Sequence, residues 1–375
     1  MVINMENENR DELLEQQETT MEEVNTEENT EETVEEPTEQ PISYTRVGQK
    51  KQEVPRKKLI GVDDPKVETK RIIIFLIVAF GVCWLMEFLA LIPMYRSENA
   101  DVVTQAMEMM DSIMFAPAMG AIVARLLTSE GLAHSGFQFN VAQHKFCFGF
   151  GWFGMTALTF LGAILYFVIF RDNFDPNMTD FVESSIANGS TMDAVNIVAT
   201  FKTNLLMNVF TAPLLDVINC FGIEWGFRAY LLPKLYRKFG TIPAMLISGL
   251  AYGLWFAPLV SIGYFYGEGY NGFPVTGILA MCVFGLVTGC IYSFLALRSG
   301  SVFPPILASS ALNVMMSQAA LFTKDGGNFF IGPAPTGIVA GIPLIIMAVI
   351  CVIYMYKNPV KPSSERNAEQ AQQKA

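Results

Sequence analysis

Glu224 and Arg228 stand four residues apart near the end of an apolar run, a spacing that puts an acid and a base on one face of a helix. Charge inside an apolar segment is expensive, so the pair is the first candidate for chemistry. Stepping back by fours reaches Cys220 and Asp216, which would extend the pair into a polar seam. Asp216 has no base within one turn. It is expected to carry a proton or to be held by Asn219, Asn208 or a polar residue of another segment. A buried ion pair also fixes helix register without reacting, and that structural role is weighed against the catalytic one throughout.

The elements that must position these residues are membrane spans. Of the 375 residues 51% are hydrophobic and only 16% charged, too apolar for an ordinary soluble protein. Residues 1–40 hold fifteen acids and one base, Arg10, so the net charge of −11 describes that tail rather than the body. An acidic tail with scarcely an aromatic cannot bury enough apolar area to order itself. Residues 41–71 reverse the sign with Arg46, Lys50, Lys51, Arg56, Lys57, Lys58, Lys66, Lys70 and Arg71, a cluster that holds the N-terminus in the cytoplasm and could meet anionic lipid. The first apolar run follows Arg71 and is too long for a signal peptide.

Eight spans are expected, near 72–95, 112–128, 146–170, 200–222, 242–262, 275–297, 302–323 and 337–356. The fold class is therefore an all-α polytopic bundle. Its parts are an acidic tail (1–40), a basic linker (41–71), a transmembrane domain (72–356) and a tail (357–375). The fourth span is the least apolar, with Asn204, Asn208, Asp216 and Asn219, so its polar face must look into the bundle. Loop charge fits both termini inside: Arg125 and Lys145, then Arg228, Lys234, Arg237 and Lys238, then Arg298 fall on one side, while the 171–194 loop is acidic. Gly249 with Gly253, and Gly285 with Gly289, have the spacing of close helix contacts. The six cysteines show no paired spacing and read as small core residues.

Three stretches together resemble a known family. Ile223-Glu224-Trp225-Gly226-Phe227-Arg228-Ala229-Tyr230-Leu231 is similar to the first motif of the CPBP intramembrane proteases (the CAAX-processing and Abi, or bacteriocin-immunity, proteins), Glu-Glu-x-x-x-Arg. Tyr252-Gly253-Leu254-Trp255-Phe256-Ala257-Pro258 resembles the second, an aromatic residue followed four positions later by histidine. Arg298-Ser299-Gly300-Ser301 through Ser309 to Asn313 resembles the third, which ends His-x-x-x-Asn. The resemblance covers roughly residues 72–323 and implies the CPBP fold.

It also shows what is missing. Glu224, Arg228 and Asn313 occupy retained motif positions, while Ile223 replaces the acid that the family is proposed to use on the attacking water, and Phe256 and Ser309 replace the two histidines. Hydrolysis needs a carboxylate and imidazoles converging on one water, through a metal or by acid and base catalysis. Isoleucine and phenylalanine supply neither. The chain's two histidines, His134 and His144, precede the third span and cannot stand in by helical position.

The expectation is thus a non-catalytic member in a bacterial plasma membrane that works by binding a transmembrane protein or peptide, or a lipid. Regulation of an envelope enzyme or bacteriocin self-immunity would be its setting. Asp216, Tyr252 and Trp255 would shape its cavity. No cofactor and no nucleic acid are expected, and a metal such as zinc enters only with the first alternative, an active endopeptidase using Glu224 with substitute ligands. The second alternative is a transporter built on a buried Asp216.

Overall fold

In the computed structural model the described residues are 65–132, 135–187, 189–324 and 327–360. The acidic tail, most of the basic linker, His134 and residues 361–375 lie outside them. Among the described residues there is no strand, and the architecture is a helical bundle. Among the described residues five helices are long and apolar enough to cross a membrane: α1 (Pro65–Tyr95), α2 (Ala100–Leu127), α3 (Lys145–Ile169), then α8 (Val275–Ser299) and, last, α9 (Phe303–Phe322). Between α3 and α8 come α4 (Thr179–Ala187), α5 (Ala194–Phe210), α6 and α7 (Thr241–Trp255), and α10 (Ile342–Lys357) closes the chain. The helix α6 runs as Val217–Glu224, a wide π-type turn over Trp225–Leu231, and Leu232–Phe239.

Several expected boundaries change: the expected second span, 112–128, is the latter part of α2, and the expected fifth, 242–262, ends as a continuous helix at Trp255. The first helix begins at Pro65, so Lys66, Lys70 and Arg71 belong to it and not to a separate linker. The expected fourth span, 200–222, is not one helix: α5 stops at Phe210, a single turn covers Ala212–Leu215, and α6 restarts at Val217. Pro213 explains the break, because it lacks the N–H that a continuous helix would need.

Glycine sets the tightest contacts. A Cβ on Gly253 would lie 2.5 Å from the Met281 carbonyl, and one on Gly249 would lie 2.9 Å from the Leu286 Cα, so α7 and α8 cross backbone against backbone. On α6 a Cβ on Gly222 would meet the Met114 carbonyl at 2.6 Å and one on Gly226 would meet Pro117 at 2.5 Å. These two glycines bracket Glu224 and let α6 settle onto α2. The outward faces stay apolar, as with Ile73, Ile77 and Leu89 on α1 or Ile346 and Ile350 on α10, which is the surface a lipid solvent requires.

Candidate functional site

The three motif stretches meet around one cavity of about 390 Å³. Its wall includes Ile223 from α6, Tyr252, Trp255 and Phe256 at the end of α7, Tyr292 from α8, and Ser309 with Asn313 from α9. Every substituted motif position therefore faces the same space. Phe256 sits where α7 ends and packs edge-on against Tyr252 at 5.4 Å and Phe265 at 5.6 Å. Trp255 is pinned to α1, donating its indole N–H to the Ala79 carbonyl at 3.3 Å, while Trp84 donates to the Trp255 carbonyl at 3.2 Å.

Glu224 and Arg228 stand behind this wall. Arg228 Nε lies 3.2 Å from Glu224 Oε2, and both side chains are fully buried. Arg228 Nη1 donates to Ser248 Oγ at 2.6 Å, and the guanidinium rests against the Tyr252, Tyr292 and Phe227 rings at 5.1, 5.7 and 5.9 Å. The pair joins α6 to α7 and α8. Neither carboxylate oxygen of Glu224 has a well-aligned hydrogen bond among the described residues, although the Ser309 hydroxyl lies beside it.

Asp216 is half-buried and stands next to the cavity without lining it. Three donors hold it: Asn219 Nδ2 on Oδ1 at 3.2 Å, and Cys220 Sγ at 3.2 Å and Asn313 Nδ2 at 3.1 Å on Oδ2. Among the described residues Asn208 is not one of its hydrogen-bond partners. The amide of Asn313 is thereby committed to Asp216, and Ser310 is committed to the Pro213 carbonyl, so α9 is fastened to the break between α5 and α6. His144 immediately precedes α3 and is absent from this cavity's wall.

One wall residue escapes the motif reading. Glu87 lies in a wide π-type turn of α1, is fully buried, and has neither carboxylate oxygen hydrogen-bonded among the described residues. The Cys83 thiol lies beside it, and Asp111 lines the same cavity. An acid inside a long apolar run was the available signal. Among the described residues no group of three histidine, cysteine or acidic side chains could hold a metal ion. The cavity wall carries no imidazole, and the Glu224 carboxylate is occupied by Arg228, so the donor set does not suit a catalytic zinc.

A loop from Ser261 to Phe273 covers one end of the cavity with Tyr264 and Phe265 in its lining. Tyr266 and Tyr270 of that loop pack on Phe330 at 4.6 and 4.5 Å. Its glycines make turns: Gly263, Gly267 and Gly272 all have positive φ.

At the other end of α6 lies an ion cluster. Lys234 Nζ meets Glu130 Oε1 at 2.7 Å, Arg71 Nε lies 3.4 Å from Glu130 Oε2, and Glu68 takes Arg71 and Arg237 at 3.2 and 3.1 Å. Burial pushes Lys234 down to about 8 despite Glu130 beside it. Burial also acts against the Glu130 carboxylate, but Lys234, Arg71 and Arg125 together outweigh it and hold Glu130 below the usual carboxylate range.

Comparison with known proteins places these features. Residues 204–315 match the family described as type II CAAX prenyl endopeptidase Rce1-like, a segment that contains all three motif stretches. Over 157 residues the chain is 26% identical to a lysostaphin resistance protein A of Staphylococcus haemolyticus, covering 41% of this chain and 40% of that protein. The segment shared with these proteins thus carries the three motif stretches that the helical bundle gathers on one cavity, and it is there that the chain is similar to the CAAX prenyl endopeptidase family.

Proposed function

We propose that this chain is a CPBP-fold membrane protein that has lost proteolysis and acts by binding a membrane partner, a transmembrane segment or a lipid, at its central cavity. One observation carries the reading: the three motif positions that would supply an acid and two imidazoles are Ile223, Phe256 and Ser309, and all three line that cavity. Isoleucine, phenylalanine and serine at those positions can line a site for a guest but supply neither the carboxylate nor the imidazoles of the motif, and the wall's own acids, Glu87 and Asp111, lie outside the motif frame. Regulation of an envelope enzyme, or protection against a bacteriocin, is the setting we favour. The name of the similar staphylococcal protein, which refers to resistance to lysostaphin, supports a role at the bacterial cell envelope. A bacterial cell membrane with both termini on the cytoplasmic side is part of the same proposal, supported by the distribution of Lys and Arg.

The test sets the purified full chain against the triple variant Ile223→Glu, Phe256→His, Ser309→His, using a prenylated peptide and a transmembrane-helix peptide as substrates. No cleavage is expected from the native chain. Cleavage confined to the triple variant would add direct support for a lost site. Cleavage by the native chain that Glu224→Gln abolishes would overturn the proposal in favour of an endopeptidase.

A further inference from the structure

A second cavity, of about 630 Å³, lies between α3, α8 and α10. Its lining is ordered by depth. At the end where α3 begins and α8 and α10 finish stand Gln143, His144, Arg298 and Tyr354, and Lys145 and Lys357 flank the same end on the sequence. Within about two turns deeper the walls are the buried thiols of Cys147 and Cys351 and then Phe150, Phe294 and Met347. Among the described residues no acidic side chain lines it.

Arg298 is presented for binding. Its guanidinium lies over the Tyr354 ring, with Cζ 5.2 Å from the centroid, and Nη2 donates to the Tyr354 hydroxyl at 3.3 Å. That contact engages one nitrogen of the group, and Arg298 is exposed at this end. The setting differs from the neighbouring ion cluster, where Arg71, Lys234 and Arg237 all meet carboxylates. Two tethers hold this end of the bundle together: Asn140 donates to the Ser299 carbonyl at 2.7 Å, and the Tyr236 hydroxyl to the Val360 carbonyl at 2.5 Å. The rim toward the outside is apolar, with Phe146 and Ile350 both exposed.

We infer that this cavity is a binding site for an anionic glycerophospholipid. One acyl chain lies along Phe150, Phe294 and Met347, and the phosphate meets the Arg298 guanidinium and the His144 ring. A cationic end joined to an apolar groove, opening on a lipid-facing surface, complements a chain with a phosphate at its head. A zwitterionic lipid offers the same chain but adds a cation where the cavity end is already cationic. The inference does not depend on the central cavity or on the loss of proteolysis.

The experiment uses the full chain in a neutral detergent and measures lipid retained by native mass spectrometry, comparing phosphatidylglycerol with phosphatidylcholine of identical acyl chains. A preference of about tenfold for phosphatidylglycerol is expected from two donors near the headgroup. The double variant Arg298→Gln, His144→Gln should retain the two lipids equally. Lys324→Gln, a charge change in the loop after α9, should keep the native preference. Equal retention by the native chain would overturn the inference, as would a preference that survives the double variant or one that Lys324→Gln removes.

Discussion

The ion cluster and the Glu224–Arg228 pair are both held by α6, yet they handle charge differently. Around Glu130 and Glu68 three bases share two acids, and the carboxylates remain partly reachable by solvent. Inside the bundle a single acid meets a single base at 3.2 Å with no exposure, and the carboxylate gains no well-aligned hydrogen bond. Desolvation costs more in the second setting, and Coulomb attraction in low dielectric repays it only with good geometry. The comparison teaches that the outer cluster is fastening, while the inner pair braces α6 against α7 and α8 directly behind the wall of the central cavity.

Breaking the outer cluster should have the largest effect. Glu130→Ala leaves Arg71 and Lys234 without their shared counter-charge and should cost about 3–5 kcal/mol, read as a lower Tm of the purified full chain. Glu224→Gln should cost less, about 1–3 kcal/mol, because the amide keeps the shape and Arg228 retains Ser248 and its three rings. The double replacement Glu224→Leu with Arg228→Met should recover most of that loss, since apolar groups of similar volume often replace a buried pair at little cost. If Glu224→Gln proves as damaging as Glu130→Ala, the distinction between fastening and brace fails.

Gly285→Ala probes the packing beneath both regions. Its Cβ would enter the Gly253 backbone, and overpacking there should cost about 1–3 kcal/mol.

The smallest effect concerns pH. The folded-state pKa of Glu130 lies below its ordinary value of 4.5, so the unfolded chain binds more protons over that interval. The stabilisation from Glu130 is complete above 4.5 and is lost as pH falls through the folded value. Tm should therefore drop on acidification below about 4.5 in the native chain, and drop less in Glu130→Ala.

Much of this was legible in the residues. Apolar run lengths reveal a helical membrane bundle, and the spacing of Gly249, Gly253, Gly285 and Gly289 marks the seam where α7 and α8 touch. The motif frames name Ile223, Phe256 and Ser309 as substitutions before any coordinates show them on one wall. Other features depend on contacts that local sequence cannot display. Arg71 reads as a topological charge, but it is buried against Glu130 and Thr128, 59 and 57 positions onward. Glu87 carries no motif around it, and only the fold brings it to the cavity. The α5–α6 break did have a local sign in Pro213, which the apolar run around it masked.

The glycine seam has one more consequence. Because α7 and α8 touch at their backbones, the side of the central cavity that they build has no slack, and it stands like a fixed doorpost. Phe256 and Tyr292 hang from that post. A guest of the kind proposed above would then not enter by parting these two helices, and its passage would open where the walls meet through side chains and loops, beside α1 and α2 or at the Ser261–Phe273 loop.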